Sequence, residues 1–434
     1  MTRHIRTVHL FAGGTRTSRQ PATWGQQYIY EAVESLRFED SRINVELPVP
    51  IGAGVSVSEA LMALRLVVER HESLRTTYTR SPDGELVQHV TEGQLFEVDI
   101  WECGVDDLRE SRNALLARYK SHVFDPAVGP LFRCALLTRD GAPRYLLLVT
   151  SHMVLDDWSG TLVSREYTAL LAGATLPAAT WQPLEQAGWE ASEPGRRLHE
   201  RSIRYWRDTF ATAPRFPRQP DLKASASPRY WHGQLTSPEA FDLLGAHAAQ
   251  LGVTGPSLLV AAYGLAFARF FDTDEVLMMV RTANRPTRES LASVGHYSQQ
   301  VPVRLRTDHP TFAEYARHAH DRILDAYPYG LCAPGDAERE MFAGEFNRWA
   351  RVTVNITPEV PVAPDTARDQ VTHRARQRHF GWLSNFEEDR IVAYCDIWPA
   401  IQSLSLFADT AFIPKRAVGA VLEEIEGIIL KADG

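Results

Sequence analysis

Apolar positions along this chain switch between two periods, and the change is clearest between residues 131 and 171. Leu131–Thr138 and Tyr145–Thr150 are runs of branched, aromatic and leucine side chains separated by the tight-turn pair Asp140-Gly141, which predicts a β-hairpin. From Ser159 the apolar residues fall at Leu162, Val163, Tyr167, Leu170 and Leu171, one face of a helix that fades at Gly173, with Asp157 or Ser159 available as its N-cap. Upstream, a helix capped by Ser56 or Ser58 runs through Arg70, and another covers Asp106–Ser121. Residues 174–199, with Pro177, Pro183, Glu193 and Pro194, read as a polar connector. A second α/β series follows. Its helices are expected near Glu200–Phe210, Pro238–Gln250, Thr254–Phe271, Thr311–Ala326 and Pro414–Lys431, and its strands at Glu275–Arg281, Gln299–Arg306, Val352–Ile356 and Ile391–Ile397. No repeat with a period of roughly 20–50 residues is visible.

Composition narrows the function classes. A chain of 434 residues with 44% hydrophobic content can bury a sizeable core, and its length suggests about two or three domain-sized units. No stretch approaches the roughly 18 uninterrupted apolar residues of a membrane span, and Met1-Thr2-Arg3-His4 opens no signal-peptide core, so a cytoplasmic location is expected. Cys103, Cys134, Cys332 and Cys395 have neither metal spacing nor a paired framework, so they read as reduced structural thiols, and no metal site is expected. A net charge of −8 gives no reason to expect nucleic acid.

Candidate chemistry concentrates in Ser151-His152-Met153-Val154-Leu155-Asp156-Asp157-Trp158, which places a His where a strand stops and an Asp four residues later. A strand-loop-helix junction points such side chains into a cleft, although a His near an Asp also occurs as an ordinary structural pair. Other blocks accompany it in order: Thr23-Trp24-Gly25-Gln26, Arg70-His71-Glu72-Ser73-Leu74-Arg75-Thr76, Phe124-Asp125-Pro126 with Gly129-Pro130-Leu131-Phe132-Arg133, Asn284-Arg285, Ser293-Val294-Gly295, Val301-Pro302-Val303-Arg304 and Ala326-Tyr327-Pro328-Tyr329.

Together, over roughly residues 20–430, these blocks resemble the condensation domains of nonribosomal peptide synthetases and the related superfamily that includes chloramphenicol acetyltransferase. The resemblance implies an α/β fold of two acetyltransferase-like lobes, expected here as residues 1–177 and 178–434, in a V-shaped pseudo-dimer with a tunnel between them. It further implies acyl transfer from a phosphopantetheine arm borne by an acyl or peptidyl carrier protein, with no bound cofactor. By the family motif His-His-x-x-x-Asp-Gly, His152 aligns with the catalytic His and Ser151 replaces the supporting one, as in fungal terminal cyclising condensation domains. Asp156 aligns with a carboxylate that pairs with an Arg from the second half, best matched by Arg285. Asp157, Ser159, Tyr297 and Ser298 are candidates to line the tunnel, Ser159 alternatively to cap the helix.

Asp157 departs from the family's Gly, a residue that permits positive φ and close approach. Asp here resembles the recruitment domains of glycopeptide synthetases, which have lost condensation activity and bind haem monooxygenases; those lose the second motif His, which this chain keeps. His71 and Arg75 are expected to anchor a helix end, and Trp158 with Tyr205-Trp206 to pack inward. Arg374, Arg376 and Arg378 read as a solvated loop or as a dock for an acidic carrier-protein surface. With no adenylation motif or phosphopantetheine-attachment motif in sight, the chain is expected to be a free-standing condensation enzyme.

Overall fold

The computed structural model describes residues 2–35, 41–104, 108–343, 347–357, 377–387 and 391–432. The fold is mixed α/β, and the chain divides into two compact units, residues 1–197 with 285–298, and residues 198–284 with 299–434. The first unit thus runs on past residue 177 and takes in a segment from the second half of the sequence.

In chain order the first unit contains β1 (Arg3–Gly13), β2 (Ser18–Pro21), α1 (Trp24–Ser35), β3 (Val45–Pro50), α2 (Val57–Arg70), β4 (Thr76–Arg80), β5 (Leu86–Val90), β6 (Gly93–Glu102), α3 (Leu108–Lys120), β7 (Phe132–Arg139), β8 (Ala142–Thr150), α4 (Asp157–Leu171) and α5 (Pro183–Glu190). Five strands pair in the order β1-β6-β7-β8-β3, and β2-β5-β4 form a small second sheet. The expected hairpin is β7–β8, paired antiparallel from Phe132 with Thr150 to Arg139 with Ala142. Its turn residues Asp140 and Gly141 both have positive φ, 54° and 75°, the conformation that a two-residue hairpin turn requires. Ala135, Leu136, Leu146 and Val149 are buried, so the centre of this sheet carries the unit's core.

Residues 183–190 and 193–211, the latter being α6 (Glu193–Ala211), are helical where a connector was expected from 174 to 199. Pro183 stands at a first-turn position where its missing N–H is no loss, and Gln182 with Glu185 forms a capping box. Pro194 follows the first residue of α6 for the same reason. These prolines start helices rather than break a chain.

After α6 come β9 (Tyr230–Thr236), α7 (Pro238–Leu251), α8 (Gly255–Phe271), β10 (Glu275–Thr282), the single turn α9 (Arg288–Leu291), β11 (Gln299–Arg306), α10 (Phe312–Ala326), α11 (Pro334–Phe342), β12 (Val352–Ile356), β13 (His379–Phe386), β14 (Ala393–Trp398), β15 (Ser403–Asp409) and α12 (Lys415–Leu430). Apart from α9 these build the second unit around a sheet ordered β11-β10-β12-β14-β15-β9-β13, with β10-β12 and β12-β14 parallel. Helix α8 is apolar nearly all round because it is buried nearly all round. Among the described residues, no single helix is long and apolar enough to cross a membrane.

One connection positions the site. β10 and β11 are antiparallel neighbours whose last pair is Thr282 with Gln299. Asn284, at φ 49°, turns the chain away from the strand while its amide donates to Gln299 Oε1 (2.9 Å) and to the Gly330 carbonyl (3.1 Å). The segment it releases, 285–298, belongs by its contacts to the first unit.

Candidate active site

Strand β8 ends at Thr150, and the six residues before α4 form a loop whose apolar members act as anchors. Met153, Val154 and Leu155 are completely buried. Their backbone is held from outside the loop: Tyr78 donates to the Met153 carbonyl (3.2 Å) and Ser73 to the Val154 carbonyl (2.6 Å). Gln26, buried in α1, donates in turn to the Tyr78 hydroxyl (3.1 Å). The early Gln block and the 70–76 block therefore both support this loop. Ser151 is buried too; its N–H donates to the Leu131 carbonyl (2.9 Å) and its hydroxyl accepts from the Met153 N–H (3.3 Å).

His152 is the half-buried exception. Its Nδ1 lies 2.6 Å from the Leu155 carbonyl, which can only accept, so the proton sits on Nδ1 and the neutral ring offers Nε2 as a lone-pair acceptor. The ring meets that of His296 edge to face, with centroids 4.7 Å apart at 84°. His296, which stands between Gly295 and Tyr297 and was not among the expected site residues, is 2% exposed, and its Nε2 donates to the Ser298 carbonyl (3.0 Å). It lies between the blocks Ser293–Gly295 and Val301–Arg304 and belongs to neither, so nothing in the sequence singles it out.

Asp156 and Arg285, both buried, form the expected pair. Arg285 Nη1 donates to Asp156 Oδ2 at 2.9 Å and Nη2 to Oδ1 at 2.8 Å. The same carboxylate accepts from the N–H groups of Ser159 (2.8 Å), Tyr297 (3.0 Å) and Ser298 (3.3 Å). Burial pushes the carboxyl up, but the Arg285 charge and these donors outweigh it and hold it well below the usual carboxylate range. Asp156 is also the N-cap of α4, a place expected for Asp157 or Ser159. Local spacing points to Asp157 or Ser159, and the ion pair places the Asp156 carboxylate at the helix end instead.

Ser159 is instead a fully buried connector. Its hydroxyl donates to the Gly295 carbonyl (2.7 Å) and accepts from the Gly295 N–H (3.0 Å) and from Arg285 Nη2 (2.8 Å). Tyr297 is 1% exposed, its hydroxyl within 2.6 Å of Ser293 Oγ and its ring beneath the Arg285 guanidinium at 4.7 Å. Ser298 and Asp157 keep partial exposure. Asp157 opens α4 with ordinary helical backbone, so replacing the family Gly carries no positive-φ strain here. Trp158, expected in the core, is half-buried at the rim, its indole N–H donating to the Leu291 carbonyl (2.9 Å); Trp206 does pack inward.

Two neighbouring features complete the setting. His71 is the C-cap of α2 and meets Glu166 at 2.6 Å, while buried Arg75 donates to the Val68 and Glu69 carbonyls near the end of that helix, which is the anchoring role expected of both. Glu190 is buried and among the described residues meets no cation, accepting from the Trp24 N–H (2.8 Å) and from Gln186 (3.0 Å), and burial pushes its carboxyl up to about 8. Arg378 is engaged by Glu426 and Glu423, whereas Arg374 and Arg376 lie outside the described residues. Among the described residues no cluster suited to a metal ion occurs.

His152 thus stands on a strand-to-helix loop that ends in the buried Asp156–Arg285 pair, the pairing that the resemblance to condensation domains implies. The family comparison agrees: the condensation-domain model matches residues 21–333, and the chain belongs to that family. It is similar to tyrocidine synthase 3 of Brevibacillus parabrevis, 26% identical over 331 residues, covering 73% of this chain and 5% of that protein. Phosphinothricin tripeptide synthetase PhsC of Streptomyces viridochromogenes is 25% identical over 356 residues, covering 77% and 32%. The chain therefore spans less than a third of the length of these two relatives. Among solved structures, the fold matches the condensation domain of the Monacolin K polyketide synthase MokA (TM-score 0.75, 15% identity, 96% of this chain and 98% of that one). It also matches SgcC5 of Streptomyces globisporus (0.72, 17%, 96% and 100%) and the X-domain solved with OxyB from teicoplanin biosynthesis (0.67, 17%, 96% and 94%).

Proposed function

We propose that this chain is a condensation-type acyltransferase that joins a carrier-protein-bound acyl or aminoacyl thioester to an amine or hydroxyl acceptor, in cytoplasmic natural-product biosynthesis. The observation that carries the reading is His152: its Nδ1 proton is committed to Leu155, so Nε2 is the basic atom at a half-exposed position. In the reaction Nε2 takes the acceptor's N–H or O–H proton as that atom bonds to the thioester carbonyl carbon. Collapse of the tetrahedral intermediate then breaks the C–S bond and releases the phosphopantetheine thiolate, which is reprotonated. The arm is substrate delivered by an acyl or peptidyl carrier protein, and the chemistry calls for no further cofactor. Ser151, Asp156 and Arg285 hold the loop, and the partly exposed Asp157 and Ser298 are the candidates to border the acyl path.

An α-amine with a reference pKa of about 7.7–8.0 is partly neutral near pH 7, whereas an alcohol depends far more on the base. Loss of His152 therefore also reports on the acceptor. The test is an intact-mass assay of acylated carrier proteins encoded beside this chain, with and without the protein and with amine or alcohol acceptors. Carriers that stay loaded with every acceptor would refute acyl transfer.

A second reading rests on Asp157 in place of Gly: a catalytically inactive condensation-like domain that recruits a partner enzyme such as a haem monooxygenase. Co-purification with such an oxygenase, together with inert carriers, would favour it.

A further inference from the structure

We infer that His296 is the positioning residue for His152, a brace that stops the imidazole from turning and keeps Nε2 where an acceptor can meet it. The inference rests on the acyltransferase reading for its consequence but not for its geometry. A single hydrogen bond from Nδ1 to the Leu155 carbonyl is a pivot, because the ring can rotate about its Cβ–Cγ bond and exchange Nδ1 for a carbon. The edge-to-face contact with His296 is a second constraint on the same ring, and with both in place one orientation and one tautomer remain.

A brace must itself be fixed, and His296 is held from several directions. Its own Nε2–H donates to the Ser298 carbonyl. The two residues after it donate their N–H groups to Asp156 Oδ2, and Gly295 before it exchanges bonds with Ser159 through both its N–H and its carbonyl. From the other side α1 presses its Gly25 against the backbone: a Cβ there would lie 2.6 Å from the His296 carbonyl oxygen and 2.6 Å from Tyr297 Cα. The Asp156–Arg285 pair thus reaches His152 through two routes, the cap of α4 and the seat of His296. At 2% exposure His296 acts through His152, not on substrate.

Two substitutions in the full chain separate the ring from its nitrogen. His296→Gln keeps a donor for the Ser298 carbonyl without the ring, and His296→Phe keeps the ring without the donor. The first readout is the 15N spectrum of the His152 imidazole without substrate; the second is kcat and KM for carrier-bound thioester. The expected result is a single Nδ1–H tautomer in the wild type and in His296→Phe. His296→Gln should give mixed tautomers and a kcat lowered by about 10-fold or more, with KM held within about threefold. A Gln variant with unchanged His152 signals and kcat overturns the inference, and so does a Phe variant as disordered as the Gln variant. An inactive wild type whose His152 signals still depend on His296 would remove acyl transfer and leave the brace standing.

Discussion

Asp156 and Arg285, 129 positions apart in sequence, meet through both carboxylate oxygens and both terminal guanidinium nitrogens, with both side chains buried. The pair does more than neutralise charge, because the same carboxylate caps α4 and seats the backbone of Tyr297 and Ser298.

Breaking that pair leaves a buried charge alone, so Asp156→Asn and Arg285→Ala are each expected to cost about 3–5 kcal/mol. The double variant should cost less than the sum, since both changes remove one interaction. Denaturant unfolding of the four proteins checks this, and strict additivity would contradict it. Because the folded carboxyl is held below its unfolded value of about 3.9, its contribution is complete above that pH and drains away as pH falls through the folded value. Arg285→Ala should therefore flatten the acid limb of the stability curve.

His152→Ala removes the proposed base and little packing, since the side chain is half-exposed while its neighbours Met153 to Leu155 carry the burial. Turnover with an alcohol acceptor should fall by about 10²–10⁴, and less with an amine, at an unchanged circular dichroism spectrum. A folded variant with wild-type turnover on both acceptors would take His152 out of the mechanism.

What could be read in advance follows from what is local. The β7–β8 hairpin is visible because its turn residues and its buried runs are contiguous, and a Ser at 56 or 58 announces α2, where the structure selects Ser56. Strands such as β1 and β13 escape because exposed positions dilute their alternation. The cap of α4 is ambiguous locally, and a residue 129 positions away chooses it. His296 carries no periodic signal at all, and only the fold brings it to His152.

Glu190 supplies a pH test independent of catalysis. Burial raises its carboxyl from an ordinary 4.5 to about 8, so the unfolded chain releases this proton before the folded one does. The stabilising contribution is full below about 4.5 and is lost as pH rises toward 8. Glu190→Gln stays neutral while keeping an acceptor for the Trp24 N–H. The melting temperature of the wild type relative to that variant should decline between pH 5 and 8; a pH-independent difference would mean that the carboxyl titrates normally.

Asp157 separates the enzyme from the recruitment reading. It occupies the first helical position of α4, where a carboxylate complements the positive end of the helix and the backbone is helical without strain. Asp157→Gly therefore removes a favourable charge and adds chain entropy to the unfolded state, which should lower stability by about 1 kcal/mol. If Asp157 merely opens the helix beside an accessible His152, the Gly variant should transfer acyl groups at a rate within about threefold of the wild type. If Asp157 instead closes the acyl path of a recruitment protein, the wild type should be inert toward carriers and Asp157→Gly should gain activity. Single-turnover transfer from a loaded carrier, run beside a pull-down with an oxygenase, reads both. Inert carriers for both proteins together with oxygenase capture would decide against catalysis, because the base would then be present at a site that no thioester reaches.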